Sequence, residues 1–98
     1  MIGCTYKEED KNDFSSVNDL TLDGFLWINL DQYNNAMESF SRAIDLDKKY
    51  SLAWSGKGVC SYRLNKLEDA IYFFDKASQL EPENKKIKKI VEILNKMI

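Results

Sequence analysis

The sequence predicts an all-α protein of about five helices, folded as antiparallel helical hairpins that stack into a superhelix. Three observations predict it. The chain repeats itself: displaced by 34 residues, Gly24 falls on Gly58, Ala36 on Ala70, Phe40 on Phe74, Ala43 on Ala77 and Leu46 on Leu80, and a period of that length marks stacked helical units. Helix breakers are scarce, with one proline (Pro82) and four glycines in 98 residues, which suits helices and suits a turn-rich β fold badly. Apolar and small residues recur at three- and four-residue intervals through 17–30 and 52–64, the spacing that gathers side chains on one side of a helix.

Taken in order, residues 1–16 are polar and unpatterned, with Ile2, Tyr6 and Phe14 as isolated apolar points; a mobile terminal segment is expected there. Ser16 followed three residues later by Asp19 reads as a capping box with a shorter acid, marking the start of the first helix. Two units follow, 17–50 and 51–84, each a helix, a turn and a second helix. The turns fall at Asp31 and Asn65, types that tolerate the left-handed conformation a tight hairpin requires. One face of each second helix is marked by Ala36, Phe40, Ala43 and by Ala70, Phe74, Ala77. Gly24 and Gly58 stand mid-helix, where glycine costs roughly 1 kcal/mol relative to alanine. The expected reason is steric, a close approach by the partner helix carrying Ala36 or Ala70. Residues 85–98 form a closing helix with Ile87, Ile90, Val91, Leu94 and Ile98 in a stripe. A terminal cap ordinarily keeps its outer face polar, so Ile93 and Met97, which widen the apolar arc, are expected dimer contacts.

The segment Ala53-Trp54-Ser55-Gly56-Lys57-Gly58, followed by Ala70, Phe74, Ala77 and Pro82, resembles the tetratricopeptide repeat (TPR). The second unit follows the pattern residue by residue. The first keeps Gly24, Ala36, Phe40 and Ala43 but has Leu20 at the Trp position and Lys48 at the Pro position. The resemblance implies two repeats plus a C-terminal capping helix, and a protein-protein interaction module that binds a peptide or helix in a concave groove. The groove positions carried over are Asn18, Thr21, Phe25, Ile28 and Asn29, repeating as Leu52, Ser55, Val59, Tyr62 and Arg63. They share one helical face, and its apolar members give it a character that a face meant only for water has little reason to have. Phe25 and Tyr62, the aromatics, are the expected anchors. The alternative is self-assembly, a homodimer in which the groove or capping helix is occupied by another copy. If the groove's ligand is instead the protein's own N-terminal segment, Phe14 or Tyr6 is the expected inserting side chain.

Some members of the family hold the C-terminal carboxylate of heat-shock chaperones with a clamp of Lys, Asn and Arg. Here Thr21 and Phe25 stand where the first Lys and Asn would be, and Gly56 where the next Asn would be. Lys86 matches a later lysine, but Ile90 replaces the Arg. No chaperone-tail binding of the carboxylate-clamp type is therefore expected.

Composition narrows the function classes further. A net charge of −2 with 31% charged residues offers no overall positive excess to attract nucleic acid, and Lys85, Lys86, Lys88 and Lys89 read as a solvated helix face. The partner is expected to be a protein or peptide, not nucleic acid or membrane. Residues 1–50 carry ten acids and five bases, residues 51–98 six acids and nine bases, so the two ends of the array are oppositely charged. No histidine, glycine-rich phosphate loop or metal-ligand spacing occurs, so no enzyme activity, metal or cofactor is expected. Cys4 and Cys60 are too far apart to suggest a disulfide framework, and Cys60 is expected to be buried packing. Trp27 and Trp54 are expected core residues. With no signal peptide or span in evidence, the expected location is cytoplasmic.

Overall fold

The computed structural model describes the backbone from Thr5 to Ile98 and side chains from Val17 onward. Expectations resting on Cys4, Tyr6 and Phe14 lie outside the described side chains. Five helices follow one another: α1 (Thr5–Asn29), α2 (Tyr33–Leu46), α3 (Ser51–Arg63), α4 (Leu67–Leu80) and α5 (Lys85–Met97). Each packs on the next, α1 with α2 and α3 with α4 forming the two hairpins. α3 also lies against α1, whereas α5, among the described helices, lies against α4 alone.

The hairpin turns are alike because the sequence supplies the same conformation twice. Asp31 and Asn65 have φ of 60° and 67°. At the first turn the Gln32 N–H donates to the Trp27 carbonyl and the Asp31 N–H to the Ile28 carbonyl, both at 2.9 Å. At the second, Lys66 donates to Ser61 and Asn65 to Tyr62. Both sets form a Schellman closure, which satisfies carbonyls that the helix end leaves bare. The capping-box reading of Ser16 is corrected: α1 begins at Thr5, so Ser16 is interior to a helix that is already running. A side-chain cap does occur on α5, where the Asn84 Oδ1 accepts from the Lys86 and Ile87 N–H groups at 3.1 and 3.3 Å.

The core forms two clusters. The first joins Ala36, Phe40, Ala43 and Ile44 of α2 to Ala53 and Cys60 of α3; the second joins Ala70, Phe74 and Ala77 of α4 to Ile87 and Leu94 of α5. Trp54 packs against both, its indole N–H donating to the Lys48 carbonyl at 2.9 Å. The glycines have a different cause from the one expected. A Cβ on Gly24 would meet the Phe40 ring at 2.6 Å, and one on Gly58 the Phe74 ring at 2.6 Å. The aromatic side chains, not Ala36 and Ala70, occupy the notches. Gly56 faces the same Phe40 ring from the α3 side, so one phenyl group is held between glycines of successive hairpins.

Candidate functional site

The first helices of the units, α1 and α3, line one side of the array, and α5 continues it. In the 34-residue register Lys86, Lys89, Ile93, Lys96 and Met97 follow Leu52, Ser55, Val59, Tyr62 and Arg63. The structure divides the ten sequence-derived groove residues into two classes. On α1 the face is largely closed. Thr21 is 2% exposed and its hydroxyl donates to the Val17 carbonyl at 2.8 Å. Phe25 is half-buried and meets Phe40 edge-on, ring centroids 4.9 Å apart. Ile28 packs on the first core cluster. Asn18, exposed, accepts from the Tyr50 hydroxyl at 2.9 Å, and Asn29 is exposed at the end of the helix. Part of the Phe25 ring is thus committed to Phe40, and Tyr62 is the more exposed of the two expected anchors.

On α3 and α5 the face is open. Val59, Tyr62, Phe74, Ile90, Ile93, Leu94 and Met97 line an apolar hollow of about 220 Å³. Tyr62, Ile93 and Met97 each expose more than two fifths of their surface. The hollow has a local cause in the repeat register. Gly56 lets α3 close on Phe40 of α2, whereas the residue 34 positions on is Ile90, which packs on the cluster around Phe74 and lines the hollow. A second, more polar hollow is lined by Lys49, Tyr50, Leu52, Ser55, Asn84, Lys86 and others. Arg63, at the far edge, donates to the Tyr33 hydroxyl at 3.1 Å, and that hydroxyl bonds Asp31 at 2.8 Å. The Asp31 carboxylate raises the Tyr33 pKa, with desolvation adding to it and Arg63 opposing.

The arrangement can grip apolar and acidic groups, and its buried cysteine is not poised as a nucleophile. Cys60 is fully buried, and burial pushes its thiol up to about 11, against a smaller opposing pull from Lys57. A protonated thiol is a poor nucleophile. Lys57 is itself lowered by desolvation, with Asp45 opposing, and its ammonium sits 4.7 Å from the Phe73 ring centroid. Among the described residues no cluster of three or more His, Cys, Asp or Glu could hold a metal ion, and no helix is long and apolar enough to cross a membrane. Sequence reasoning missed Ile90 and Leu94 as hollow-lining residues and Gly56 as a packing notch; comparing all three units in one register exposes both.

Two family models, each described as tetratricopeptide repeat, match residues 26–50 and 51–84. No curated protein matches the sequence significantly. Among solved structures, the chain is similar to the first TPR of Spaghetti (RPAP3) bound to HSP90 peptide SRMEEVD. The TM-score is 0.74 at 23% identity, over 80% of this chain and 62% of that one. The chain thus spans less than two thirds of that structure's length. This likeness corrects the expectation that excluded chaperone-tail binding, because the neighbouring fold holds such a peptide. The residues behind the exclusion also report packing more than ligand contact: Thr21 and Gly56 are buried, and Phe25 stacks on Phe40. With its hairpins, glycine notches and repeat register in place, the second unit matched throughout and the first from residue 26, the chain belongs to the tetratricopeptide repeat family.

Proposed function

We propose that the chain is a protein-interaction module whose inner face, on α3 and α5, takes a peptide or helix by inserting an apolar side chain into the hollow between Tyr62, Ile93 and Met97. The observation that carries this reading is that hollow, open and lined by seven apolar or aromatic side chains. An exposed apolar site rimmed by polar groups is the usual mark of a docking surface. Tyr62 is the anchor, Val59 the floor, and Lys86 with Lys49 in the adjoining hollow favours a segment with acidic residues beside its apolar one. Leu52 and Ser55 extend the contact, and Asn18, Asn29 and Arg63 mark its edges. A cytoplasmic scaffold without catalytic activity fits these features.

The peptide SRMEEVD, held by the fold neighbour, is a suitable first probe because it combines Met and Val with acids. Labelled peptide titrated against the protein is expected to bind, with loss on Tyr62→Ala and on Ile93→Glu and with weakening on Lys86→Glu. Equal binding by all three variants would place the functional surface elsewhere. Self-assembly is the second reading, favoured by one observation: Ile93 and Met97, each 49% exposed, line the same hollow. A second copy would then compete with the peptide, and the solution mass over a concentration series separates the two.

A further inference from the structure

The repeat register exposes a second surface, away from the inner face. Each first-position helix has four places in one register, the last just past its end. At α3 they hold Ala53, Gly56, Cys60 and Leu64; at α5 Ile87, Ile90, Leu94 and Ile98; at α1 Leu22, Leu26 and Leu30 follow a charged first place, the exposed Asp19. In the first two cases the structure shows what these places are for. Ala53 and Cys60 are fully buried in the cluster made with α2, and Ile87 and Leu94 are buried in the cluster made with α4. Leu22 and Leu26 of α1 are 60% and 53% exposed, and among the described residues no helix lies on them; Leu30, just past the helix, is 64% exposed, as its counterpart Ile98 is at 65%. The other end of the array is finished differently. Lys88, Glu92 and Asn95, which stand where α3 has Trp54, Gly58 and Ser61 to receive α4, are polar and exposed. The α5 face is polar in the manner that keeps a repeat stack in solution; among the described residues Leu22 and Leu26 of α1 stand uncovered at places that are joined to a neighbouring helix in α3 and α5.

We propose that the Leu22, Leu26, Leu30 stripe of α1 docks a single amphipathic helix of another protein, seated as α4 is seated on α5. The occupant is argued from continuity with the interface the molecule already contains twice. α5 is the closer template, since Ile90, Leu94 and Ile98 are bulky where α1 has leucines, whereas α3 has Gly56 and Cys60 at the first two places. The docking helix therefore resembles α4, with an aromatic and small residues along one ridge, as Phe74 with Ala70 and Ala77. Charge fixes its flanks. Asp19, Asp23, Asp31 and Glu38 lie on α1, its turn and α2, with Arg42, which borders a hollow beside Asp19 and Asp45, as the one base from Val17 to Asp47, so a helix with basic flanks is drawn to this edge and an acidic one is repelled. A second copy is a poorer fit, because its own α2 and α4 ridges are already covered by α3 and α5.

The test uses a stapled helical peptide with the α4 sequence Leu67–Leu80, in which Glu68, Asp69 and Asp75 are replaced by lysine, titrated against the full chain by fluorescence anisotropy. Saturable binding is expected, falling about tenfold or more on Leu26→Lys and weakening with salt. Leu22→Lys serves as an independent second variant, and Tyr62→Ala, on the inner face, should leave binding unchanged. Both leucines are exposed, so circular dichroism should show both variants folded. The proposal is overturned if the peptide does not bind at millimolar concentration or if Leu26→Lys and Leu22→Lys bind it undiminished. It is also overturned if binding is lost with Tyr62→Ala, or if the wild-type chain is a dimer that Leu26→Lys dissolves, since the occupant would then be a second copy.

Discussion

Gly56→Ala should destabilise the protein, although alanine is the better helix former, and the size of the effect follows from Phe40. The ring is fully buried, has Gly24 on its α1 side and Gly56 on its α3 side, and meets Phe25 edge-on. A methyl group at 56 would press on Cε1 and Cζ of the ring, well inside the carbon–carbon optimum of about 3.5–4.0 Å. The ring cannot move away, because a Cβ at Gly24 would lie only 2.6 Å from it on the other side. Overpacking of this kind costs about 1–3 kcal/mol, and the gain in helix propensity offsets about 1 kcal/mol. The closeness of the contact puts the strain near the upper end and the net loss at about 1–2 kcal/mol. For a domain of this size that lowers Tm by roughly 5–15 °C. The assay is a double-mutant cycle with Phe40→Leu, read by urea melts at 222 nm. With the ring gone, Gly56→Ala should be neutral or mildly stabilising, giving a coupling energy of at least about 1 kcal/mol. The cycle of Gly58→Ala with Phe74→Leu should show weaker coupling, because Phe74 has Ile90 near it in place of a second glycine and borders the open hollow. Identical effects of Gly56→Ala in both backgrounds, or a raised Tm in the wild-type one, would refute the packing argument.

Three further outcomes are expected. Cys60 should resist alkylation until the chain unfolds, and stability should fall as pH rises from about 9 toward 11. The native thiol keeps its proton to about 11 while the unfolded one releases it near its ordinary value of 9.0, so the unfolded state binds fewer protons in that window. Lys57, lowered in the fold, contributes the opposite slope below its unfolded pKa of 10.5, so Cys60→Ala should remove the alkaline loss in thermal melts. Asn84→Ala should cost about 1 kcal/mol, the usual worth of an N-cap, and raise amide exchange at Lys86 and Ile87, whose N–H groups bond the Asn84 side chain; unchanged exchange would deny the cap. Asn65→Ala should destabilise by up to about 1–2 kcal/mol, since a Cβ-bearing residue without a polar side chain is strained at φ 67°, while Asn65→Gly should be tolerated in the same melts.

The 34-residue period, the turn positions and the helix faces were legible in the sequence because they are local: a position's place on a helix depends only on its distance along the chain. Burial of Cys60, the left-handed Asp31 and Asn65, and the uncovered Ile93 and Met97 followed from that register. What the register could not decide is which equivalent positions remain open, because that depends on residues brought in from other helices. Phe25 and Tyr62 belong to one groove face by spacing, yet Phe25 is held against Phe40 while Tyr62 borders an open hollow. The hollow is lined by Ile90, which stands where Gly56 does, and that it borders open space appears only once α5 is stacked on α4. Leu22 and Leu26 likewise share a register with Gly56 and Cys60, and only the presence of α2 against one set and of no described helix against the other separates a buried joint from an exposed one. The chain sequence sets where each side chain lies on its helix; the tertiary structure, through the bulk of neighbours that are distant in sequence, decides which of those faces water can reach.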